Sequence, residues 1–445
     1  MKIGLSPWTG LETMTGLELE KLSNLTLKEE VYRATLPSGL EVSFCPKPGF
    51  QKRYACYSTR FGSIDNEFTG SGGESLRVPD GIAHFLEHTL FETPRGNASD
   101  LFALNGASNN ASTSFTQTTY LSAASDRFWD NLGLLIDFVE NPCFQDDKVE
   151  KERGIIEQEI KGYDDNPGWV NYRGLLGNLF SEHPVRIDIA GTVETIAEID
   201  TATLQSCYDR FYHPSNMHLF VVGDLDRQEL FEFVAERSRA GATLEGELER
   251  KYPVEPAEVF KAEGEVEMDV AAAKFILGFK ETGVPLAGEE LVRRELLSDL
   301  GLDLLFGSSS DLFRELYEKQ LVHDQLWSGY DTLGGVAYAM VGGDTSSPDE
   351  FPGRLLDGIE SGLGEALSRD NFERKKRQFI GDFVRRFSSL EFIAHGFTTY
   401  LFRDFDLFSL IDLINGLERE MLEEHLRSLL DPDRHSIFKI IPRSS

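Results

Sequence analysis

The chain has 445 residues, 40% of them hydrophobic, enough to build two or three ordinary cores. Its 44 basic and 75 acidic residues give a formal charge of −31, which speaks against nucleic acid or an anionic membrane surface as a partner. No apolar run approaches the roughly 18 residues of a spanning helix, and Met1–Pro7 lacks the apolar core of a leader peptide, so a cytoplasmic protein is expected. Cys45, Cys56, Cys143 and Cys207 show no C-x-x-C pairing, which predicts reduced, mostly buried thiols rather than a cysteine metal site.

In chain order, strand-like segments at 33–46 and 54–62 come first. Pro79-Asp80-Gly81 then supplies a helix start, with Asp80 the expected N-cap, and Ile82, Phe85, Leu86, Leu90 and Phe91 give that helix a core-facing stripe. The helix carries His84-Phe85-Leu86-Glu87-His88, in the order H-x-x-E-H. Residues i and i+4 lie one above the other on a helix, so both imidazoles can reach one ion, and the glutamate beside His88 is a base attached to the site. A catalytic zinc takes about three protein ligands plus a water, and a carboxylate is the usual third ligand when two are His.

An alternating segment running to Ala124 and a helix over 126–139 follow. Asp146–Ile160 then reads as a second functional helix, opened by acidic residues and closed before Asn166-Pro167. Glu152, Ile156 and Glu159 stand at i, i+4 and i+7 and share one face, with Ile155 and Ile160 expected on an adjacent buried flank. Carboxylates on a semi-apolar face need a partner, and a metal would be one. Glu150 and Glu157 read as solvated. A helix-plus-strand unit closes this half at Val222-Gly223-Asp224.

The second half repeats the order. Its strand 274–279 is followed by a helix from Glu289, a strand 334–341, helices over 352–367 and 368–387, and a helix-plus-strand unit ending at 437–441. Gly241, Gly246, Pro253 and Pro256 punctuate the polar stretch between the halves. This predicts domains at 1–236 and 257–445, joined by a linker at 237–256. Each is expected to be an α+β unit with an antiparallel sheet backed by helices. Asp299-Leu300-Gly301-Leu302-Asp303 falls opposite His84–His88, and Asn371–Lys376 falls opposite Val149–Ile155, so the second half keeps the fold without the ligands.

Three segments together resemble the pitrilysin/insulinase/mitochondrial processing peptidase family of zinc peptidases, in its two-domain bacterial form. They are Gly81–Phe91, Asn110-Ala111-Ser112-Thr113 with Thr118-Thr119-Tyr120, and Glu152-Arg153-Gly154-Ile155-Ile156-Glu157-Gln158-Glu159. The likeness continues through His183-Pro184, Gly191-Thr192-Val193-Glu194 and Tyr212–Met217, and reaches the second half in architecture only. It implies the two-domain metallohydrolase fold and one zinc per chain, held by His84, His88 and Glu159. It also implies Glu87 as general base on the metal-activated water, Glu152 as an outer carboxylate orienting an imidazole, and Asn110 and Ala111 on an edge strand that pairs with substrate backbone. Tyr120 and Phe115 are candidates to pack against a bound peptide.

The resemblance implies a zinc endopeptidase acting on peptides or small unfolded proteins. One departure bears on partners. Family members commonly carry, in a non-zinc domain, an arginine and a tyrosine seven residues apart that hold substrate, yet Arg314 is followed here by Leu321, and Tyr317 and His323 do not restore the pair. The family's chamber takes four such domains and this chain offers two, which implies a dimer, with a homologous non-zinc subunit or with a second copy. The missing pair keeps open a non-hydrolytic role as scaffold or maturation subunit. S-ribosylhomocysteine lyases share the H-x-x-E-H helix but are single-domain and far shorter. His183, His213 and His218 are expected to be structural, and His323, His395, His425 and His435 have no ligand-like neighbours in sequence.

Overall fold

The strand-like segments of the first half assemble into one eight-stranded sheet. The computed structural model describes residues 8–14, 17–70, 72–239 and 248–443; Met1–Pro7 and the linker glycines Gly241 and Gly246 lie outside the described residues. The sheet order is Trp8–Met14, Leu17–Asn24, Glu29–Thr35, Glu41–Pro46, Met217–Gly223, Arg53–Thr59, Thr118–Ala124, Ser108–Thr113. Neighbours run antiparallel except Met217–Gly223 with Glu41–Pro46, a parallel pair that the long helical excursion between them permits. Met217–Gly223 is buried at every position, and it reads as an unbroken apolar run apart from His218, whose ring nitrogens are hydrogen-bonded to Thr398 and Ser43.

A five-stranded sheet organises the second unit, in the order Glu263–Met268, His435–Pro442, Ala273–Thr282, Val336–Thr345, Trp327–Leu333. Its single parallel pair is Glu263–Met268 with His435–Pro442. Strand for strand this matches the last five strands of the larger sheet, and each sheet is followed through the same helices, so the chain contains one α+β fold twice. Each sheet is thus largely antiparallel with one parallel pair.

The compact units are not the linear halves predicted from the breakers. One comprises 1–160, 188–251 and 384–409; the other comprises 161–187, 252–383 and 410–445. Helix Leu390–Phe402 packs on strands Met217–Gly223 and Arg53–Thr59 of the first unit. Helix Pro167–Leu179 packs on strands Ala273–Thr282 and His435–Pro442 of the second, so closely that a Cβ on Gly174 would stand 2.4 Å from the Phe438 ring. Periodicity reveals that such a helix has a buried face, but the sheet that covers it is a tertiary choice.

In the second unit, helices Glu289–Phe306 and Arg369–Arg386 occupy the places of the two functional helices. They are joined by an ion pair, Lys375 Nζ to Asp303 Oδ2 at 2.7 Å, where the first unit gathers histidines and carboxylates. Among the described residues no helix is long and apolar enough to cross a membrane.

Candidate metal centre

The histidine helix spans Ile82–Leu90, and all of its residues except His88 are buried. Its cap is Gly81, not Asp80 as the sequence suggested: Gly81 adopts φ 90° and makes no side-chain cap, while Asp80 Oδ1 accepts from Asn66 Nδ2 at 2.6 Å. Only glycine fits at this cap, because a Cβ there would lie 2.4 Å from the Ala190 carbonyl oxygen as well as demanding a left-handed backbone. The carboxylate helix spans Asp146–Asp164 with Val149, Glu152, Ile156 and Ile160 buried. Ile155, expected on the buried flank, is 44% exposed, so the inward face is narrower than the apolar pattern implied.

The two helices bring their polar groups face to face. His84 Nε2 lies 3.8 Å from Glu159 Oε1, and His88 Nε2 lies 3.5 Å from Glu159 Oε2. One carboxylate therefore addresses both rings, whose centroids are 4.6 Å apart. His88 Nδ1 is 3.5 Å from Glu152 Oε2, on the far side of its ring from Glu159. The donor atoms of His84, His88 and Glu159 all fall within 4.8 Å of one another. Tetrahedral zinc with ligands at about 2.0–2.2 Å spaces its donors by about 3.3–3.6 Å, so the set fits that ion.

Electrostatics point the same way. His84, Glu87 and Glu152 are each under a tenth exposed. Burial, and then the neighbouring His88, press the His84 imidazole down to about 4, which leaves it neutral near pH 7 and able to donate a lone pair. Burial alone would also depress His88, but Glu152, Glu87 and Glu159 around it hold it above its ordinary value. Lys151 reaches Glu152 Oε1 at 3.7 Å. Three carboxylates and one lysine gather around the two imidazoles, an acidic cluster whose cost out of water a divalent cation offsets. Among the described residues the buried His84 Nδ1 has no hydrogen-bond partner, and the polar contact of that ring lies on its Nε2 side, toward Glu159.

Glu87 is fixed from the sheet. Thr113 Oγ1 donates to its Oε2 at 2.7 Å, and burial raises the Glu87 carboxyl above its usual range against the pull of that bond and of His88. Thr113 is the last residue of Ser108–Thr113, the edge strand, which among the described residues pairs on one side only, with Thr118–Ala124. Asn110 and Ala111 lie on this strand opposite Leu121 and Tyr120, and the Ala111 N–H donates to Asn110 Oδ1 at 2.9 Å. Tyr120, a candidate substrate contact in the sequence, is fully buried and hydrogen-bonded to the Tyr212 hydroxyl at 2.8 Å, so it belongs to the core; Phe115 is half-buried.

His183 and His213 are structural in geometry. His183 Nδ1 accepts from the Val185 N–H and His213 Nδ1 from the Ser215 N–H, each capping a short helical turn. Arg314 pairs with Asp311 on an exposed helix turn, and Leu321 is buried in the core. Thr113 had no role assigned from sequence, and neither did Glu92, Lys148 or Lys151. The three-residue spacing of the lysines, which puts them on one helix face, was the only signal available for that cluster.

Residues 69–193 match the insulinase model of peptidase family M16, and residues 198–379 match the peptidase M16 inactive domain. A Bacillus subtilis protein described as the uncharacterized zinc protease YmfH is 41% identical over 423 residues, covering 94% of this chain and 98% of its own. An uncharacterized zinc protease of Mycobacterium tuberculosis is 29% identical over 308 residues, covering 67% of this chain and 66% of its own. Among solved structures, an M16-like peptidase from Alicyclobacillus acidocaldarius superposes with a TM-score of 0.88 at 31% identity, covering 97% of this chain and all of that one. Pitrilysin shares the fold at a TM-score of 0.75 and 16% identity, with 98% of this chain matching 47% of the pitrilysin chain. The chain belongs to the pitrilysin/insulinase family, peptidase family M16.

Proposed function

We propose that this chain is the zinc-bearing subunit of an endopeptidase for peptides or small unfolded proteins, with one zinc per chain on His84, His88 and Glu159. The observation that carries the reading is the pair of imidazole Nε2 atoms facing the two oxygens of Glu159, with Glu87 held beside them by Thr113. Held by His84, His88 and Glu159, zinc would supply Lewis acidity toward a peptide carbonyl and toward an attacking water. Glu87 takes the proton of that water and returns it to the leaving amine, a task for which burial has already raised its basicity. Glu152 accepts from His88 Nδ1 and so presents Nε2 as the donor atom. Asn110 and Ala111 capture the substrate backbone along the edge strand, which gives affinity without reading side chains.

A second chain completes the enzyme in this reading. Its support is that the fold of this chain corresponds to about half of pitrilysin, and that neither Arg314, paired with Asp311, nor the buried Leu321 offers a substrate-holding pair. The partner is a homologous non-zinc subunit, with a homodimer as the simpler variant. The same absent pair favours the competing reading, a scaffold or maturation subunit that keeps a metal without turnover. Four free cysteines, three of them buried, support a cytoplasmic, reducing location. Zinc content per chain, together with cleavage of a generic unfolded peptide by the chain alone and with a homologous non-zinc chain, tests the proposal. Stoichiometric zinc without cleavage in either arm selects the scaffold.

A further inference from the structure

A second charged cluster fastens the two functional helices to each other away from the metal donors. Glu92 stands two residues beyond the histidine helix and is 3% exposed. Its carboxylate accepts from Lys148 Nζ at 2.6 Å through Oε2 and from Lys151 Nζ at 2.8 Å through Oε1, one lysine to each oxygen. Both lysines come from one face of the carboxylate helix. The hydrogen bonds from Lys148 and then Lys151 hold the Glu92 carboxyl down at about 2, so the cluster stays charged across the working range of a protein.

The geometry closes a ring. Lys151 also lies 3.7 Å from Glu152 Oε1, and the other oxygen of Glu152 lies 3.5 Å from His88 Nδ1. From His88 the chain runs four residues to Glu92, which returns through Lys151 and Glu152 to His88. A buried carboxylate held by two charge-assisted bonds tolerates little displacement, because separating the partners strands a charge out of water. The register of the carboxylate helix on the histidine helix is thereby set at its N-terminal half, and Glu159 is delivered two turns further along.

We infer that Glu92, with Lys148 and Lys151, is a positioning group for the metal centre. It fixes the distance at which Glu159 and Glu152 meet the two imidazoles, without touching the ion. This rests on the reading of His84, His88 and Glu159 as metal ligands. Glu92 is invisible to a search for ligands, since it contributes nothing to the donor set.

The test is the zinc affinity of the full chain, measured by competition with a chromophoric chelator. Wild type, Glu92→Gln, Lys151→Met and Glu150→Gln are compared, each with its near-ultraviolet circular dichroism checked. Glu92→Gln should weaken zinc binding by about 10–100-fold, the usual effect of losing an outer support of a metal site. Lys151→Met should weaken it in the same direction, and Glu150→Gln, an exposed change on the same helix, should stay within about twofold. A clamp that served only the fold would lower the thermal midpoint and leave zinc affinity unchanged. Folded Glu92→Gln with the wild-type zinc affinity overturns the inference; should that variant fail to fold, wild-type affinity in Lys151→Met does so. A wild type that binds no zinc overturns the metal-centre reading itself, and this inference with it.

Discussion

The Thr113 hydroxyl donates to Glu87 Oε2 across 2.7 Å, joining the edge strand of the sheet to the histidine helix. The bond holds one carboxylate oxygen of the proposed base, and it does so from the strand that carries Asn110 and Ala111. In the proposed enzyme, a peptide that orders this strand would therefore also order the base. Thr113→Val keeps the shape and deletes the donor. Loss of a hydrogen bond to a charged group costs about 1.5–3 kcal/mol, so kcat should fall roughly 10-fold or more while KM and zinc content hold. Thr113→Ser should recover most of the rate, and an undiminished kcat in the valine variant would sever the link.

Glu87→Gln should retain zinc and lose hydrolysis. The amide can neither accept a proton from water nor return one to the leaving amine, and loss of a general acid–base typically costs about 10²–10⁴ in rate. Steady-state rates on zinc-replete protein give the answer. Activity within about threefold of wild type would remove Glu87 from the chemistry.

Glu159→Gln should lose most of its zinc, whereas Glu150→Gln, whose side chain is 73% exposed and pairs with Arg153, should retain it. Elemental analysis of the purified proteins distinguishes the two. Removing the metal with a chelator should abolish peptide cleavage, and stoichiometric zinc should restore it. Full zinc in Glu159→Gln, or its loss in Glu150→Gln alone, would refute the ligand assignment.

The chain by itself should be a poor peptidase that a homologous non-zinc chain makes competent. Purification from the native host under mild conditions, followed by identification of what co-elutes, checks this directly. A lone homodimer turning over peptides at an ordinary kcat of about 1–10³ s⁻¹ would end the heterodimer idea.

Glu255 makes the second unit acid-sensitive. Its carboxylate accepts from Lys280 Nζ at 2.7 Å and from the backbone N–H groups of Ser181, Glu182 and His183 at 2.9, 2.8 and 2.6 Å. Burial alone would raise it, but these donors bring it from 4.5 down to about 2. Because the folded value is depressed, the stabilisation is complete above the ordinary carboxylate value and fades as pH falls from 4.5 toward 2. Burial lowers the Lys280 ammonium from its ordinary value of 10.5, against the pull of Glu255. Glu255→Gln leaves Lys280 buried without its counter-ion and should cost about 3–5 kcal/mol near neutrality. Urea midpoints of the two proteins should converge as the pH drops through the window. A gap that widens on acidification would contradict this account.

Local spacing determined much of the chemistry in advance. The i, i+4 placement of His84 and His88 and the i, i+7 placement of Glu152 and Glu159 put those groups on single helix faces whatever surrounds them, and the doubled order of strands and helices declared the repeat. Spacing fixes a face; it does not say what covers it. Tertiary structure alone decided that Glu159 meets both imidazoles, that Glu92 is buried between two lysines, and that Tyr120 is core rather than substrate contact. It also decided that Gly81 rather than Asp80 caps the histidine helix, since the clash that demands glycine comes from Ala190, more than a hundred residues away in sequence. Helices Pro167–Leu179 and Leu390–Phe402 leave their own halves for the same reason: an apolar face records the need for a covering sheet, and only the packed chain selects which sheet supplies it.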